Sequence, residues 1–416
     1  MLKKIVFVIN YFYPDFASTG QLMTELCVDL QNEFDITVIA AQPGYAGEGS
    51  STKNKLFERD YLENIKIVRV RLPKVDKNSK VSRIKYIFSY FILSLIALFK
   101  ENGVDAIYTI SQPPVLGGLI GSIGKFFKRS KHIYNIQDFN PEQAAAVAYT
   151  KKQFIFKLAK KIDMINCSYS DCVILVGNDM SETLKKRFLN KKVPHHVVIN
   201  NWTNEKEIIP LSKENKKVKK FMEDNGFKDK FIIMYSGNLG LFYDLENIIK
   251  ITESFKDYND LAFVFIGEGA MKKNMQSFVE EKNISNVHFL PYQPKEFIKY
   301  SLNAADIHLV VNQKGIKGVS VPSKIYGVMA AGKPILGVLE QGSEAQLLIQ
   351  RSNCGVVVEP QNYKGIIESI NQLYNMNKQS LGSLGLNGRN YLDEYLKREI
   401  SIQKYHRVLQ SIIKPK

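Results

Sequence analysis

The feature that most constrains the fold is a regular alternation of short apolar runs, rich in valine and isoleucine, with segments of helical periodicity. Most of these runs are continuously apolar, which is typical of parallel strands buried on both faces. Because strand and helix alternate along the whole chain, we predict an α/β protein with two doubly wound, Rossmann-like sheets in tandem. The thirteen predicted strands are 5–9, 36–40, 65–72, 106–110, 132–136, 173–176, 197–199, 231–235, 262–266, 287–290, 307–311, 335–338 and 356–358.

Chain length and one polar stretch indicate where the two sheets divide. A chain of 416 residues is too long for a single hydrophobic core. The polar stretch 201–220 follows the seventh predicted strand, and we place the domain boundary there. Residues 386–413 show no strand pattern and are expected to form one or two long helices.

Cysteine and histidine usage excludes several classes of protein. Four scattered cysteines do not make a disulfide framework, which favours a reducing compartment. Of the six histidines only the adjacent His195 and His196 are paired, so no protein-built metal site is expected. We see no signal-peptide pattern, and the longest apolar run, 86–99, has 14 residues, short of the roughly 20 that span a bilayer. We therefore expect a cytosolic protein that is soluble or bound to a surface.

The positive charge is concentrated in one part of the first half. The chain carries a net +16, and residues 66–161 hold 18 Lys and Arg against five Asp and Glu, a net +13. Three segments there combine basic and apolar residues: 85–100, 126–129 and 151–161. A localised basic face predicts an anionic partner. No nucleic-acid-binding module accompanies it, so we favour anionic lipid. The alternatives are a generally lysine-rich composition and, for 86–99, a core helix.

Two glycine-containing turns follow strands at positions typical of phosphate-binding loops. Thr19 and Gly20 follow the first strand, and a helix is predicted directly after them. Gly237, Asn238 and Gly240 follow the first strand of the second half. Glycine lets the backbone approach a phosphate, and the amides of the next helix favour its negative charge. Neither turn matches an established phosphate-binding motif. The alternative for each glycine is that it closes a tight turn and binds no phosphate.

A third loop, 312–324, is more informative because it ends in a lysine that begins a helix. Ser323 is a good N-cap residue and Gly332 a good helix stop, so we predict a helix over 324–331. A lysine in the first turn opposes the helix macrodipole by roughly 0.3–1 kcal/mol. An anion bound by Lys324 and the helix amides would relieve this conflict. The alternative is a solvated lysine that bends away.

Two carboxylates, Asp138 and Glu142, follow the predicted strand 132–136. Asp138 would lie at the carboxyl end of that strand, where ligands of open parallel sheets bind. We expect it to bind an acceptor hydroxyl or to assist as a general base. Its alternative is to cap the helix that begins before Pro141.

Six stretches carry a resemblance to a known family and run in order along the chain: 10–20, 136–142, 200–202, 235–247, 307–332 and 342–360. They are similar to the bacterial retaining glycosyltransferases of sequence family four, and more narrowly to the colanic-acid and capsule-type sugar transferases. The resemblance implies the GT-B fold, in which two Rossmann-like domains face each other across a cleft and the final helix crosses back to the first domain. It implies an acceptor-binding domain at 1–203 with 396–416, and a nucleotide-sugar-binding domain at 204–395.

The resemblance also implies roles for individual residues. The donor-binding residues would be Gly20, Gly237, Asn238, Gly240, Lys314, Lys317, Ser320, Ser323, Lys324 and Glu344, with Glu344 binding the ribose or bracing the loop. The acceptor-binding residues would be Thr19, Asp138 and Glu142, and the catalytic residues Asp138 and Lys324.

The chain departs from the family pattern at its charged donor residues. Many members carry a pair of glutamates where this chain has Val319 and Gly327, and a basic pair where it has Asn238 and about Tyr243. The colanic-type branch lacks the same residues and keeps a lysine at the position of Lys324. We therefore expect Lys324, helped by one of the lysines in the preceding loop, to neutralise the donor diphosphate. No cofactor or metal is expected, since lysine would replace the metal and no Asp-x-Asp motif occurs.

The function implied by the resemblance is retaining transfer of a sugar from a nucleotide-diphosphate sugar to a lipid-linked saccharide, in capsule, exopolysaccharide or O-antigen synthesis. A UDP-sugar is the favoured donor and a GDP-sugar the second choice. We expect the protein to bind the cytoplasmic face of an anionic membrane through residues 66–161 and not to bind nucleic acid. The alternatives are a sugar-nucleotide 2-epimerase on the same fold and a non-catalytic subunit that binds a nucleotide-sugar.

Overall fold

Both halves of the chain build a sheet from the apolar runs seen in the sequence. The structure, a computed structural model, describes residues 2–15, 18–43, 55–76, 79–146 and 153–413. The chain divides into two compact units, Met1–Asn200 with Ile402–Lys416, and Asn201–Ser401. The boundaries expected from the resemblance, 203/204 and 395/396, differ from these by three and six residues.

The first unit holds an eight-stranded sheet in the order β3-β4-β2-β1-β5-β6-β7-β8. Its strands are β1 (Lys3–Val8), β2 (Phe34–Ala41), β3 (Phe57–Leu62), β4 (Ile65–Val70), β5 (Ala106–Ile110), β6 (Lys131–Ile136), β7 (Cys172–Leu175) and β8 (His196–Val198). All neighbours pair in parallel except β3 and β4. The sequence prediction missed β3, since three of its six residues are charged and it lies at the edge of the sheet.

The second unit holds a six-stranded parallel sheet in the order β11-β10-β9-β12-β13-β14. Its strands are β9 (Phe231–Ser236), β10 (Leu261–Ile266), β11 (Val287–Leu290), β12 (Ile307–Val311), β13 (Ile335–Val338) and β14 (Gly355–Val358). Alternate residues of β9 enter separate cores: Ile233 and Tyr235 join one, and Ile232 and Met234 the other. Burial on both faces explains why these runs are continuously apolar. All thirteen predicted strands are confirmed.

Helices connect the strands of both sheets. Those in the described residues are α1 (Ser18–Leu30), α2 (Lys80–Lys100), α3 (Leu116–Lys128), α4 (Asn140–Ala146), α5 (Gln153–Tyr169), α6 (Asn178–Arg187), α7 (Lys216–Asp224), α8 (Leu245–Ile248), α9 (Lys272–Glu281), α10 (Ile298–Ala304), α11 (Lys324–Ala330), α12 (Glu344–Ser352), α13 (Tyr363–Tyr374), α14 (Lys378–Tyr391) and α15 (Arg398–Ile412). A π-helical turn, Leu392–Leu396, separates α14 from α15. The chain from Ile402 onward belongs to the first unit.

The apolar run 86–99 is part of a longer helix than the sequence prediction allowed. Helix α2 has 21 residues, because the polar residues that precede the run are helical as well. By length and composition Val81–Lys100 is the one stretch among the described helices that meets the requirements for crossing a bilayer, although 22% of it is buried in the protein. Tyr90, Leu95 and Leu98 on one side of α2 join the core above the sheet. The helix therefore packs one side on the core and leaves large apolar residues of its other side exposed.

Helix α3 packs closely on the sheet through glycine. A β-carbon at Gly121 would lie 1.9 Å from Nε2 of His132, a buried side chain on β6 that hydrogen-bonds Thr109 Oγ1 at 2.9 Å. Contacts this short do not occur between real side chains, so a larger residue would have to push the helix away from the sheet.

We predict that Gly121→Ala lowers the free energy of unfolding of the first unit by about 1–3 kcal/mol, the usual cost of overpacking. Chemical denaturation measures it. Gly382→Ala is the matched control, since a β-carbon at this α14 glycine would meet nothing within 4 Å. The control is expected to keep or raise stability, because alanine favours a helix by about 1 kcal/mol over glycine. Equal stability of the two variants would contradict the packing described.

Candidate active site

The second unit brings Lys324 to the end of strand β9. Lys324 is the first residue of α11, and Gly237 is the first residue after β9, with φ +148°. A β-carbon at Gly237 would lie 3.3 Å from Cε and 3.5 Å from Nζ of Lys324. The glycine therefore leaves the space that the lysine side chain uses, and the two predicted donor-binding residues are neighbours.

Two tyrosines enclose the ammonium group of Lys324. Its Nζ donates to Tyr235 Oη at 2.5 Å and lies 3.9 Å from the centroid of that ring and 4.2 Å from the centroid of Tyr243. Tyr235 Oη in turn donates to the carbonyl of Asn238 at 2.7 Å. Aromatic faces attract a cation but carry no net charge. Within the described residues no Asp or Glu lies within 4.0 Å of Nζ.

Loss of water lowers the pKa of Lys324 from its ordinary value to about 7, since no anionic group in the described part of the chain offsets the burial. Ser323 precedes the helix with helical dihedral angles and makes no capping hydrogen bond. Ser323 is the N-cap residue of α11, as predicted, but its helical dihedral angles keep its hydroxyl from the amides that a capping side chain reaches. An anion bound beside Lys324 would supply the negative charge that balances its ammonium.

Two glycines, Gly267 and Gly269, let the loop after β10 touch the loop after β9. A β-carbon at Gly267 would lie 1.9 Å from the carbonyl oxygen of Gly237, and one at Gly269 would lie 2.7 Å from Asn238 Oδ1. The Asn238 amide also lies 3.2 Å from the β-carbon position of Gly240. Asn238 is thus packed between glycines at the carboxyl edge of the sheet, beside the lysine site.

The loop that leads to Lys324 is fixed by a carboxylate on the next strand connection. Glu340 Oε2 accepts the backbone amides of Gly315 and Lys317, each at 2.9 Å. The Lys317 ammonium donates to the carbonyl of Gln341 at 2.5 Å, and Lys314 is exposed. Lys317 is therefore engaged in holding the loop, and its help to Lys324 stays a prediction.

Ser320 is half-buried on this loop, and Glu344 lies elsewhere in the same unit as the first residue of α12. Only 2% of Glu344 is exposed. Its role in ribose binding stays a prediction.

The predicted acceptor residues lie in the first unit. Asp138 is two residues beyond β6 and half-buried, and its amide donates to Ser111 Oγ at 3.3 Å. Thr19 and Gly20 lie inside the first turn of α1, which begins at Ser18. The sequence placed them in a loop before the helix, and that placement is wrong. A β-carbon at Gly20 would lie 2.9 Å from the carbonyl oxygen of Tyr11, so packing against the preceding chain requires this glycine.

Glu142, the remaining predicted acceptor residue, is held in a partly buried ion pair. Arg187 Nε donates to Glu142 Oε1 at 2.9 Å, and Lys160 Nζ lies 3.3 Å from the same oxygen. Burial alone would raise the pKa of Glu142, but Arg187 and Lys160 hold it below its ordinary value. Sequence reasoning missed Arg187, because its partner is 45 positions away and nothing local marks the pairing.

In the described residues no three His, Cys, Asp or Glu side chains cluster as metal ligands would.

Comparison with known proteins identifies the chemistry of this chain. Residues 217–391 match the family model described as "Glycosyl transferases group 1". "Probable glycosyltransferase WbjE" of Pseudomonas aeruginosa is 26% identical over 407 residues and is covered, like this chain, to 97%. "Putative colanic acid biosynthesis glycosyl transferase WcaI" of Escherichia coli strain K12 is 24% identical, over 97% of this chain and 98% of its own. Residues 217–391 therefore match a group 1 glycosyltransferase domain, and the chain is similar over nearly its whole length to these two glycosyltransferases.

Solved structures of similar shape establish the fold of this glycosyltransferase. Sucrose-phosphate synthase from Thermosynechococcus elongatus superposes with a TM-score of 0.75 at 15% identity, over 98% of both chains. Anabaena HepE, solved in complex with UDP and glucose, superposes with a TM-score of 0.73 at 13% identity, over 98% of this chain and 100% of its own. At such identities the likeness shows the fold alone, and it confirms the predicted GT-B class.

The enclosed lysine leads to a prediction about stability. Because the folded-state pKa of Lys324 lies near 7 and its ordinary value is 10.5, the charge destabilises the fold fully below pH 7, and this effect fades as the pH rises from 7 to 10.5. We predict that Lys324→Met is more stable than the parent at pH 6, by a margin that shrinks towards pH 10. Thermal unfolding across pH measures it.

Lys272→Met is the control, since that ammonium pairs with Glu268 at 2.6 Å. It is expected to give no gain at pH 6. A Lys324→Met variant no more stable than the parent at pH 6 would contradict the enclosure of the charge.

Proposed function

We propose that this enzyme transfers a sugar, with retention of configuration, from a UDP-sugar to a lipid-linked saccharide at the inner face of the cell membrane. The observation that carries the proposal concerns the ammonium of Lys324. It lies beside Gly237, and no carboxylate of the described residues lies within 4.0 Å of it. A diphosphate is an anion that would satisfy it. HepE, which shares the fold, is solved with UDP and glucose, and WcaI is named for colanic acid biosynthesis. Both facts support this donor and this acceptor class.

The chemistry assigned to Lys324 is stabilisation of the leaving diphosphate. As the glycosidic bond to the donor phosphate breaks, negative charge builds on the diphosphate oxygens. A fixed ammonium in a partly dehydrated site stabilises that charge more than water would. The hydrogen bond to Tyr235 and the two aromatic rings hold Nζ in place before the reaction begins. No group has to reorganise when the charge appears.

The acceptor step is assigned to the first unit. Asp138 would orient the acceptor hydroxyl through its carboxylate. In a retaining reaction of this type, a donor phosphate oxygen takes the hydroxyl proton on the face where the diphosphate leaves. This division gives the two units separate tasks, with diphosphate binding in the second and acceptor alignment in the first.

We predict that Lys324→Ala lowers kcat for sugar transfer at least ~10²-fold, the loss typical of removing one charge-stabilising donor. The assay follows release of UDP from UDP-sugars in the presence of lipid-linked acceptor. Lys272→Ala, which removes an ammonium paired with Glu268, is expected to keep parental activity. Near-parental turnover of Lys324→Ala would refute the role of this lysine.

The membrane part of the proposal is supported by an exposed apolar face on three helices of the first unit. On α2 the outward residues recur at helical spacing, and others lie on α3 and α5. The exposed large apolar residues are Val81, Ile84, Phe88, Ile92, Ile96 and Phe99 on α2, Phe126 and Phe127 on α3, and Phe154, Ile155, Leu158 and Ile165 on α5.

These residues form neighbouring surfaces. Helix α3 packs against both α2 and α5, and the rings of Phe99 and Phe127 are 5.4 Å apart. Exposed basic residues such as Lys85, Lys100 and Lys157 lie on the same helices. Apolar side chains with interspersed lysines are typical of helices that lie in the headgroup region of anionic membranes. Lys151 and Lys152 of the third predicted basic segment lie outside the described residues.

The inward side of α2 favours lying on the membrane over crossing it. Tyr90 and Leu98 are fully buried in the core of the first unit. A helix that spans the bilayer would have to withdraw these side chains from the core. We therefore propose that α2 lies along the surface and contributes its outer face alone.

We predict that a triple variant, Phe88→Ser with Phe126→Ser and Phe154→Ser, binds vesicles at least ~10-fold more weakly than the parent, since each phenylalanine contributes roughly 1.5–3 kcal/mol when removed from water. Co-sedimentation with phosphatidylglycerol-containing vesicles at low salt measures it. The control Leu386→Ser removes an exposed leucine of the second unit and is expected to bind as the parent does. A parent that stays in the supernatant would overturn the membrane proposal.

A further inference from the structure

A buried arginine contacts two residues of the segment that carries Asp138. Arg187, at the end of α6, has only 1% of its side chain exposed. Its Nη1 donates to Asp163 Oδ2 at 2.6 Å, and its Nε and Nη2 donate to the two carboxylate oxygens of Glu142. The guanidinium carbon lies 4.0 Å from the centroid of the Phe139 ring. One side chain therefore binds helices α4 and α5 and the residue next to Asp138.

The backbone around Asp138 is also held by Ser111, the residue that follows β5. Ser111 Oγ accepts the amides of Gln137, at 3.1 Å, and of Asp138, at 3.3 Å. Asn140 Nδ2 donates to the carbonyl of Ser111 at 2.7 Å and to that of Asp138 at 3.2 Å. The segment that carries Asp138 is thus held both by Ser111 and by the contacts of Arg187 with Phe139 and Glu142.

The pairing partners of Arg187 are themselves anchored. Tyr134 Oη donates to Asp163 Oδ1 at 2.8 Å, which joins the network to strand β6. A guanidinium is planar and presents a rigid fork, so it can bind a carboxylate with two parallel bonds while its face covers a ring. A lysine cannot reproduce that geometry, because its ammonium is a point charge on a flexible chain. The arrangement therefore depends on arginine and not on charge alone.

We infer that Arg187 is a positioning residue for the acceptor: by holding Phe139 and Glu142 it fixes the loop that presents Asp138. This inference rests on the proposed function for the role of Asp138. The order of the loop itself does not depend on that role, and it is measured separately. Arg187 touches neither substrate in this scheme and acts through Asp138.

The first experiment measures loop order without any substrate. Arg187→Ala would leave the buried Asp163 without its cation and Glu142 with Lys160 alone. The tests are therefore Arg187→Lys, which keeps the charge, and Phe139→Leu, which keeps an apolar side chain. Hydrogen exchange by mass spectrometry is expected to show faster exchange over 137–146 in both variants and unchanged exchange over 231–240. Lys185→Met, an exposed residue of the same helix paired with Glu182, is the control and is expected to match the parent. Unchanged exchange over 137–146 would overturn the inference.

The second experiment separates positioning from general damage. In Arg187→Lys, kcat for transfer is expected to fall at least ~10-fold, since small misplacements of aligned groups cost about this much or more. KM for the donor and the slow hydrolysis of the donor by water are expected to stay at parental values. Equal losses in transfer and hydrolysis would overturn the inference. A parent with no transfer activity would defeat the proposed function, and the exchange result would still decide whether Arg187 holds the loop.

Discussion

The proposed donor site depends on a single ammonium group held between two tyrosine rings. Lys324 occupies space that Gly237 leaves free. Within the described part of the chain, its ammonium contacts two aromatic faces and one hydroxyl. Such a charge lowers the stability of the fold when no anion is bound. A methionine of similar length would occupy the same space without that loss of stability. Retention of a destabilising charge at a strand end is the pattern of a functional site. The glycines at positions 267 and 269 let the loops after β9 and β10 meet beside this charge.

The helices of the first unit divide their two sides between core and surface. On α5, Asp163 turns inward to Arg187, while Phe154 and Ile165 are exposed. On α2, Leu98 enters the core and Phe88 is exposed. The same helices therefore support the loop of Asp138 and form the apolar face assigned to the membrane. A lipid-linked acceptor bound at this face would lie close to the membrane that holds its lipid.

The fold was largely predictable from the sequence, and the site only in part. Continuous burial leaves a strong apolar pattern, so every predicted strand is found, whereas the exposed edge strand β3 leaves none. Lys324 was recognisable because a lysine at a helix start is locally unfavourable. The Arg187–Glu142 pair was not, since it joins residues 45 positions apart and depends on packing between helices. The length of α2 was underestimated because its first turns are polar and their helical state depends on context.

The central claim is that a diphosphate binds at Lys324, and a crystal structure of the protein with UDP tests it most directly. The expected result is a diphosphate oxygen within hydrogen-bond distance of Lys324 Nζ, with the phosphates against the loop that begins at Gly237. A UDP molecule whose phosphates lie away from this side chain, with the ammonium still enclosed by Tyr235 and Tyr243 alone, would contradict it.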